Sequence, residues 1–373
     1  MIKVELKKEI DNSYNIEIGT QILAKAGHYI KKITNAKKLL IVTNSTVFGL
    51  YYEKFANSLK DFEVEKIVLP DGEKYKNIHS LEKIWKKALE FKLERTDAIV
   101  AFGGGVVGDI AGFAASSYLR GIDFIQVPTT FLAQVDSSIG GKVAINHSIG
   151  KNMLGFFYQP KLVLVDISIL KTLPLRELKT GLGEVLKYSF IEKSCLSEEN
   201  INLIEFLQQN KNQIYNYDLI TLEKLVSACC YLKKSVVEKD EKEDNLRAIL
   251  NFGHTIGHAL EKVTHYKKYT HGEAIALGMV GVFKMSLDKN LIEKDYFDEA
   301  INLLKNYEIL PKMPSVLFCS FSKIAKATQN DKKVKNSKIR FIIPKKQGIV
   351  NITDEFTLED IKKGISQIGK ICD

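Results

Sequence analysis

Five short apolar runs set the strongest limit on how this chain can fold: KLLIVT (38–43), VEKIVL (64–69), DAIVAF (97–102), DFIQV (123–127) and KLVLV (161–165). Each has the length of a strand, and most lack alternation, as strands covered on both faces do. Helix-length amphipathic segments separate them. Strands joined through helices pair in parallel, so roughly the first 170 residues predict a doubly wound α/β unit with a mostly parallel sheet. Ahead of the series, residues 2–7 and 14–18 alternate around Asp11-Asn12-Ser13, which predicts an antiparallel hairpin.

The β pattern stops near residue 170. Thr172-Leu173-Pro174 predicts a helix start with proline in the first turn. Helical periodicity then covers 175–192, 200–210, 218–238, 246–263, 272–289, 293–306 and 355–368, interrupted by a small hairpin at 338–343 and 348–352. Two domains follow, 1–170 and a mainly α-helical 171–373. A chain of 373 residues with 45% hydrophobic content can bury a core in each.

Several classes of protein drop out. Met1-Ile2-Lys3 runs straight into an alternating pattern, unlike a signal peptide. No uncharged apolar run reaches the roughly 18 residues of a membrane helix, and Asp109 interrupts the nearest, 102–118. A cytoplasmic protein is expected. Cys195, Cys229, Cys230, Cys319 and Cys372 show no CxxC spacing and read as reduced thiols. The net charge of +9 comes from lysines scattered among glutamates, without a basic run or aromatic platform for nucleic acid. Such a field suits a small phosphorylated anion.

GGGVVGD (103–109) follows a strand and opens a helix, and its glycines at 103, 105 and 108 fit G-x-G-x-x-G. That setting predicts a dinucleotide pyrophosphate at a helix N-terminus, with a glycine-rich packing turn as the alternative. It follows the third strand of the series rather than the first, and no acidic residue ends the next strand. DGEKYK (71–76) and Thr129-Thr130 follow other strand ends, where ligands gather in open α/β sheets. Asp136, Lys142, Lys151 and Asn152 punctuate a glycine-rich loop whose lysines suit an anionic ligand.

In NFGHTIGH (251–258), a helix begun slightly earlier aligns Arg247, Asn251, His254 and His258 on one stripe, at spacings of four, three and four. Gly253 and Gly257 inside it each cost about 1 kcal/mol, so something is expected to approach the backbone closely. In GLGEVLKYS, Glu184 and Lys187 lie three apart on one helix face. A carboxylate and two imidazoles form an open zinc site. Spacing leaves two pairs available, His254 with His258 or His254 with His271.

The order DGExxK, GGGVVGD, the arginine of YLRGI, VPTT, GGKxxxN, GKN, TLP, GLGEVxKY, KxxVVxxDE, LRAxLNFGHTxGHAxE, HGEA and DKK (331–333) resembles the 3-dehydroquinate synthase family over nearly the whole chain. The resemblance implies an N-terminal Rossmann-like domain, a helical C-terminal domain, a homodimer, tightly bound NAD and one divalent metal, zinc or cobalt. It assigns the metal to Glu184, His254 and His271. NAD goes to Asp71, Gly72, Glu73, Lys74, Tyr75, Lys76, Gly105, Val106, Val107, Gly108, Asp109, Thr129, Thr130, Lys142, Lys151 and Thr172. Catalysis falls to His258, Lys187, Asn251 and Arg247. Substrate falls to Asp136, Asn152, Lys233 and a lysine of the DKK motif (Lys332 or Lys333, with Lys333 favoured), and to Arg120 of the partner subunit. Asn44-Ser45-Thr46 departs from the family's adenosine contacts.

The implied reaction converts 3-deoxy-D-arabino-heptulosonate 7-phosphate to 3-dehydroquinate and phosphate, in the shikimate pathway of aromatic amino-acid biosynthesis. NAD oxidises the sugar transiently, phosphate is eliminated, the ketone is reduced again, and an intramolecular aldol step closes the carbocycle. This is a carbon–oxygen lyase without net redox change. A sister sugar-phosphate cyclase would alter the 247–258 stripe, whereas a polyol dehydrogenase of similar architecture would release NADH.

Overall fold

A computed structural model describes residues 11–198, 201–312, 321–328, 334–335 and 338–372. Its contacts divide the chain into two compact units, Met1–Thr129 with Gly141–Asp166, and Thr130–Gly140 with Ile167–Asp373. The expected single cut after residue 170 thus misses an excursion. Residues 130–140 pack with α-helices of the second unit, and that unit begins at Ile167.

The first unit runs β1 (Asn15–Gly19), α1 (Ala26–Ile33), β2 (Lys38–Asn44), α2 (Ser45–Asn57), β3 (Glu63–Leu69), α3 (Ile78–Glu90), β4 (Ala98–Gly103), α4 (Gly105–Ser117), β5 (Asp123–Pro128), β6 (Lys142–His147), β7 (Gly150–Phe157) and β8 (Leu162–Asp166). Six strands form one sheet in the order β1-β8-β5-β4-β2-β3, and every pairing in it is parallel. Leu39–Val42 of β2 and Ile99 and Val100 of β4 are fully buried because helices cover both faces there. β3 lies at an edge, which explains why VEKIVL carries charges, Glu65 and Lys66, inside its run where the others carry theirs at the first position. β1 closes the other edge against β8, and the hairpin partner expected at 2–7 falls outside the described residues.

The stretch read as a glycine-rich loop around Lys142 and Lys151 is instead the antiparallel hairpin β6–β7. In KVAINH, Val143 and Ile145 alternate with more exposed neighbours and enter the core beneath α4. A Cβ at Gly112 of α4 would sit 2.3 Å from Val143, so the helix lies directly on this strand.

The second unit holds α5 (Leu175–Ile191), α6 (Leu203–Tyr215), α7 (Leu219–Lys239), α8 (His254–Val263), α9 (His271–Asp288) and α10 (Lys294–Asn306), with further helices at Phe321–Thr328 and Leu358–Cys372. The predicted late hairpin appears at Phe341–Lys346 and Ile349–Thr353. Pro174 is the N-cap of α5 rather than a first-turn residue. α9 is buried nearly all round, as its central place requires. Its start is fixed by a capping box in which Thr270 and Glu273 satisfy each other's backbone N–H.

The continuous helix expected over 246–263 is not present. Leu246–Asn251 is a 3-10 segment, Gly253 turns the chain at φ +76°, and α8 begins only at His254. Among the described residues, no helix is long and apolar enough to cross a membrane.

Candidate active site

Glycine contacts between helices assemble the second unit's polar cluster. A Cβ at Gly183 of α5 would lie 2.5 Å from Gly272 Cα, so the backbones of α5 and α9 touch and their neighbours Glu184 and His271 meet. Gly278 of α9 would strike the Gly253 carbonyl at 2.0 Å, and Gly257 of α8 would strike the Ala274 carbonyl at 2.9 Å. The close approach expected at Gly253 and Gly257 is therefore made by a helix. Gly181 packs against Phe131 and Leu132 in the same way and brings the excursion carrying Asp136 onto α5.

Glu184 Oε1 is buried and has no hydrogen-bond partner, although it lies 3.4 Å from His254 Nε2 and 3.2 Å from His271 Nε2. The ligand atoms of Glu184, His254 and His271 all fall within 4.8 Å of one another. An orphaned carboxylate oxygen facing two imidazole nitrogens is the donor set of a three-ligand divalent site, so these residues fit the implied metal. Burial opposes ionisation of Glu184, but Lys187 and His271 hold its pKa at about 2. Burial also opposes protonation of His271, yet Glu184 and Glu261 raise its pKa to about 10. The site favours positive charge at this point.

Lys187 and Glu184, three apart on α5, form an almost fully buried ion pair, not a surface one. Asp136 extends it, 3.7 Å from Lys187 Nζ and 3.0 Å from Lys233 Nζ of α7, and it accepts a hydrogen bond from Tyr188 at 2.6 Å. Burial pushes Asp136 up, but the two lysines hold it at about 2. Lys187 is raised, because Glu184 and Asp136 outweigh its burial. Lys233 is lowered to about 8 by burial with Arg247 and Lys187, against the pull of Asp136.

Arg247 is buried, donating to the Gly140 carbonyl at 2.7 Å and to the Glu241 carbonyl. Asp240 accepts from the Asp244, Asn245 and Arg247 backbone N–H groups and shapes the turn before it. Asn251 donates to Glu243 at 2.7 Å. His258 is exposed one turn beyond His254, with ring centroids 5.2 Å apart, and it groups with Glu261 and His271 rather than with Glu184. Thr172 and Thr130 also belong to this unit, Thr172 donating to the Ile169 carbonyl and Thr130 accepting from the Ala133 N–H. Lys332 and Lys333 lie outside the described residues.

In the first unit the strand ends carry the nucleotide candidates. No side chain caps α4, whose N-cap is Gly104, so the first-turn N–H groups at Gly105, Val106 and Val107 suit an anion. A Cβ at Gly108 would sit 2.7 Å from Gln126 on β5, so that glycine also serves helix–strand packing. Gly72 has φ +108° with open space beside it, and Asp71, next to it, accepts from Asn44. Lys76 pairs with Asp109 and donates to Asn152 at 2.6 Å, while Glu73 accepts from Asn146 at 2.7 Å. Asn146 N–H in turn donates to the Lys76 carbonyl, tying 71–76 to the β6–β7 hairpin. Lys74 lies over the Tyr75 ring, and the Thr129 N–H donates to the Gly103 carbonyl. Lys142 is exposed and Lys151 partly so. Arg120 is exposed in a segment where it and Leu119 have φ of 69° and 49°.

Four residues that sequence reasoning did not single out stand in the second unit's cluster. Tyr188, Asp240, Glu243 and Glu261 each lie inside the motifs GEVxKY, KxxVVxxDE and GHAxE or just after one. Tyr188 was legible as the neighbour of Lys187. Glu243 was not, because its contact with Asn251 runs through a non-helical turn in which Glu243 itself has φ +64°.

The fold, a parallel α/β unit and a helical unit, is shared by solved sugar phosphate cyclases and, with a TM-score of 0.70 at 16% identity, by a probable glycerol dehydrogenase of Sinorhizobium meliloti, so the class rests on sequence identity as well as on fold. A solved 2-deoxy-scyllo-inosose synthase, in complex with carbaglucose-6-phosphate, NAD+ and Co2+, superposes with a TM-score of 0.82 over 95% of this chain and 96% of that one, at 29% identity. Family models for the 3-dehydroquinate synthase N-terminal and C-terminal regions match residues 66–180 and 181–334. The 3-dehydroquinate synthase of Rippkaea orientalis is 42% identical over 96% of this chain and 97% of its own length. That of Crocosphaera subtropica is 43% identical over 95% and 96%. The chain belongs to the 3-dehydroquinate synthase family.

Proposed function

We propose that the chain converts 3-deoxy-D-arabino-heptulosonate 7-phosphate to 3-dehydroquinate and phosphate, using catalytic NAD and one divalent ion. The observation that carries this reading is the convergence of Glu184, His254 and His271 beside the buried array Lys187, Asp136 and Lys233. The higher identity to dehydroquinate synthases than to the inosose synthase favours this substrate over a sister cyclase's.

When bound, NAD supplies a reversible oxidant for a substrate hydroxyl and the divalent ion a Lewis acid at that hydroxyl. Glu184, His254 and His271 would hold the ion. Lys187, kept cationic by two carboxylates, orients the substrate hydroxyls and opposes negative charge developing next to them. Lys233 and Arg247 meet the substrate's anionic groups, and Arg247 keeps its direction through two backbone carbonyls. Asn251 is oriented by Glu243. His258, exposed at the edge of the cluster, takes up and returns the proton moved during phosphate loss. In the first unit, Asp71–Lys76, Gly105–Asp109, Thr129, Lys142 and Lys151 take NAD, with Thr130 and Thr172 of the second unit, while Asn152 takes part in substrate binding. Lys333 completes the substrate set.

The test is turnover with substoichiometric NAD. Many phosphates released per NAD without accumulating NADH absorbance are expected, and NADH formed in proportion to product would mean a dehydrogenase instead.

A homodimer and a soluble cytoplasmic setting belong to the same reading. Support for the dimer comes from β7 and its turn, where Ile149 is 79% exposed and Met153, Leu154, Phe156 and Phe157 between 44% and 50%. Large apolar side chains left half-exposed along one short strand and its turn are what a protein interface would cover. Arg120 would reach the partner's site. Mixing inactive Arg120→Ala and Glu184→Ala proteins should then regain activity, since one mixed site has both groups intact. No regain under conditions where the subunits exchange would remove Arg120 from that role.

A further inference from the structure

We infer that Glu261 is a positioning residue for the ion site, accepting from Nδ1 of His271 so that Nε2 of the same ring stays turned toward Glu184. The inference rests on the metal reading above and goes beyond it by naming what fixes one of the ligands. An imidazole that gives one nitrogen to a metal donates a proton from the other, and the acceptor opposite sets both tautomer and ring direction.

The two histidines solve this problem differently. His254 Nδ1 lies 3.1 Å from the Phe252 carbonyl, which can only accept, so its Nε2 lone pair faces Glu184 Oε1 at 3.4 Å. His271 places Nε2 3.2 Å from the same oxygen, and its Nδ1 faces a side chain, Glu261 Oε2, at 3.6 Å. That separation is an ion-pair contact, and a shift of about half an ångström makes it a hydrogen bond. Glu261 is only 6% exposed, and a buried carboxylate needs a partner to offset its desolvation.

Helix packing puts it there. Gly257 of α8 faces Ala274 of α9, and one turn forward on α8 with three residues back on α9 brings Glu261 opposite His271. Ligand atoms of His258, Glu261 and His271 also lie within 4.8 Å of one another, so the rival role for Glu261 is as a ligand to a second ion.

The experiment titrates Co2+ into the chelator-treated full-length protein and follows d–d absorption, with a competing chelator giving the affinity. Wild type should bind one Co2+ per chain. Glu261→Gln, which keeps an acceptor but loses the charge, should weaken binding about 10-fold, and Glu261→Leu should approach about 100-fold with a shifted d–d spectrum. Thermal melts of the metal-free proteins establish that each is folded, and the near-isosteric Gln variant carries the test if the Leu variant does not fold. Wild-type affinity and spectrum in folded Glu261→Leu, or in Glu261→Gln if that alone folds, overturn the inference. So do two Co2+ per wild-type chain with one lost in either variant. If wild type itself binds no Co2+, the metal reading fails, a result distinguishable from failure at Glu261 alone.

Discussion

α5 and the stretch from Leu246 to Val263 both carry site residues at helical spacing, yet only α5 is one helix. Gly181 and Gly183 on α5 keep ordinary helical backbone and are there because Phe131 and Gly272 press against them. The period survives, and Glu184 meets Lys187 as residues three apart should. At Gly253 the chain turns through φ +76°, and Arg247 and Asn251 belong to a separate 3-10 piece held by Asp240, Glu241 and Glu243. Spacing thus locates a side chain only where the glycines inside the pattern are there for packing. A glycine that breaks the helix leaves the residue types meaningful and their alignment not.

The largest effect tests the intact side of that contrast. Glu184→Ala removes one of three candidate ion ligands and the nearest carboxylate to Lys187, which then lies buried with only Asp136 to balance it. Turnover should fall at least ~1000-fold, or ~4 kcal/mol of barrier. NAD affinity, measured by fluorescence titration, should change little, since most of its candidate residues are in the other unit. Activity and metal content both near wild type would defeat the assignment of Glu184.

The broken side is tested by stability. Gly253→Ala forces a Cβ into the left-handed region and 2.6 Å from Met279 Cγ and 2.8 Å from the Ile275 carbonyl. Together these should cost about 3 kcal/mol in urea unfolding. Gly257→Ala would still meet the Ala274 carbonyl at 2.9 Å but sits in regular helix and escapes the left-handed strain, so it should cost about 1 kcal/mol less. Equal losses would mean that packing alone explains both glycines.

Much of this architecture is legible in the residues, for identifiable reasons. The parallel sheet announces itself because burial on two faces leaves an unbroken apolar run through the middle of β2, β4 and β8. The β6–β7 hairpin hides because its alternation is only six residues long, flanked by Gly140 and Gly141 at φ +87° and +69°. His271 could not be chosen over His258 from spacing, since what unites it with Glu184 is a backbone contact between Gly183 and Gly272 on helices far apart in sequence. The resemblance to a known family named it, whereas residue arithmetic could not. Glu261 went unread because its partner lies across the α8–α9 seam.

The smallest effect sharpens the comparison at a point where the two regions meet chemically, Lys233. Burial, Arg247 and Lys187 lower its pKa to about 8 despite Asp136, while Lys187 on α5 is raised by Glu184 and Asp136 against the same burial. Only Lys233 should therefore lose its charge in the accessible range. kcat/KM should halve near pH 8 and fall about tenfold per unit above it, and Lys233→Gln should flatten that limb. Stability should move the other way. The unfolded chain's lysine titrates near its ordinary 10.5, so between about 8 and 10.5 the unfolded state binds more protons and this group makes the folded protein more stable as pH rises. Activity lost above pH 8 with the urea midpoint steady or rising assigns the limb to Lys233; activity and midpoint falling together would assign it to unfolding.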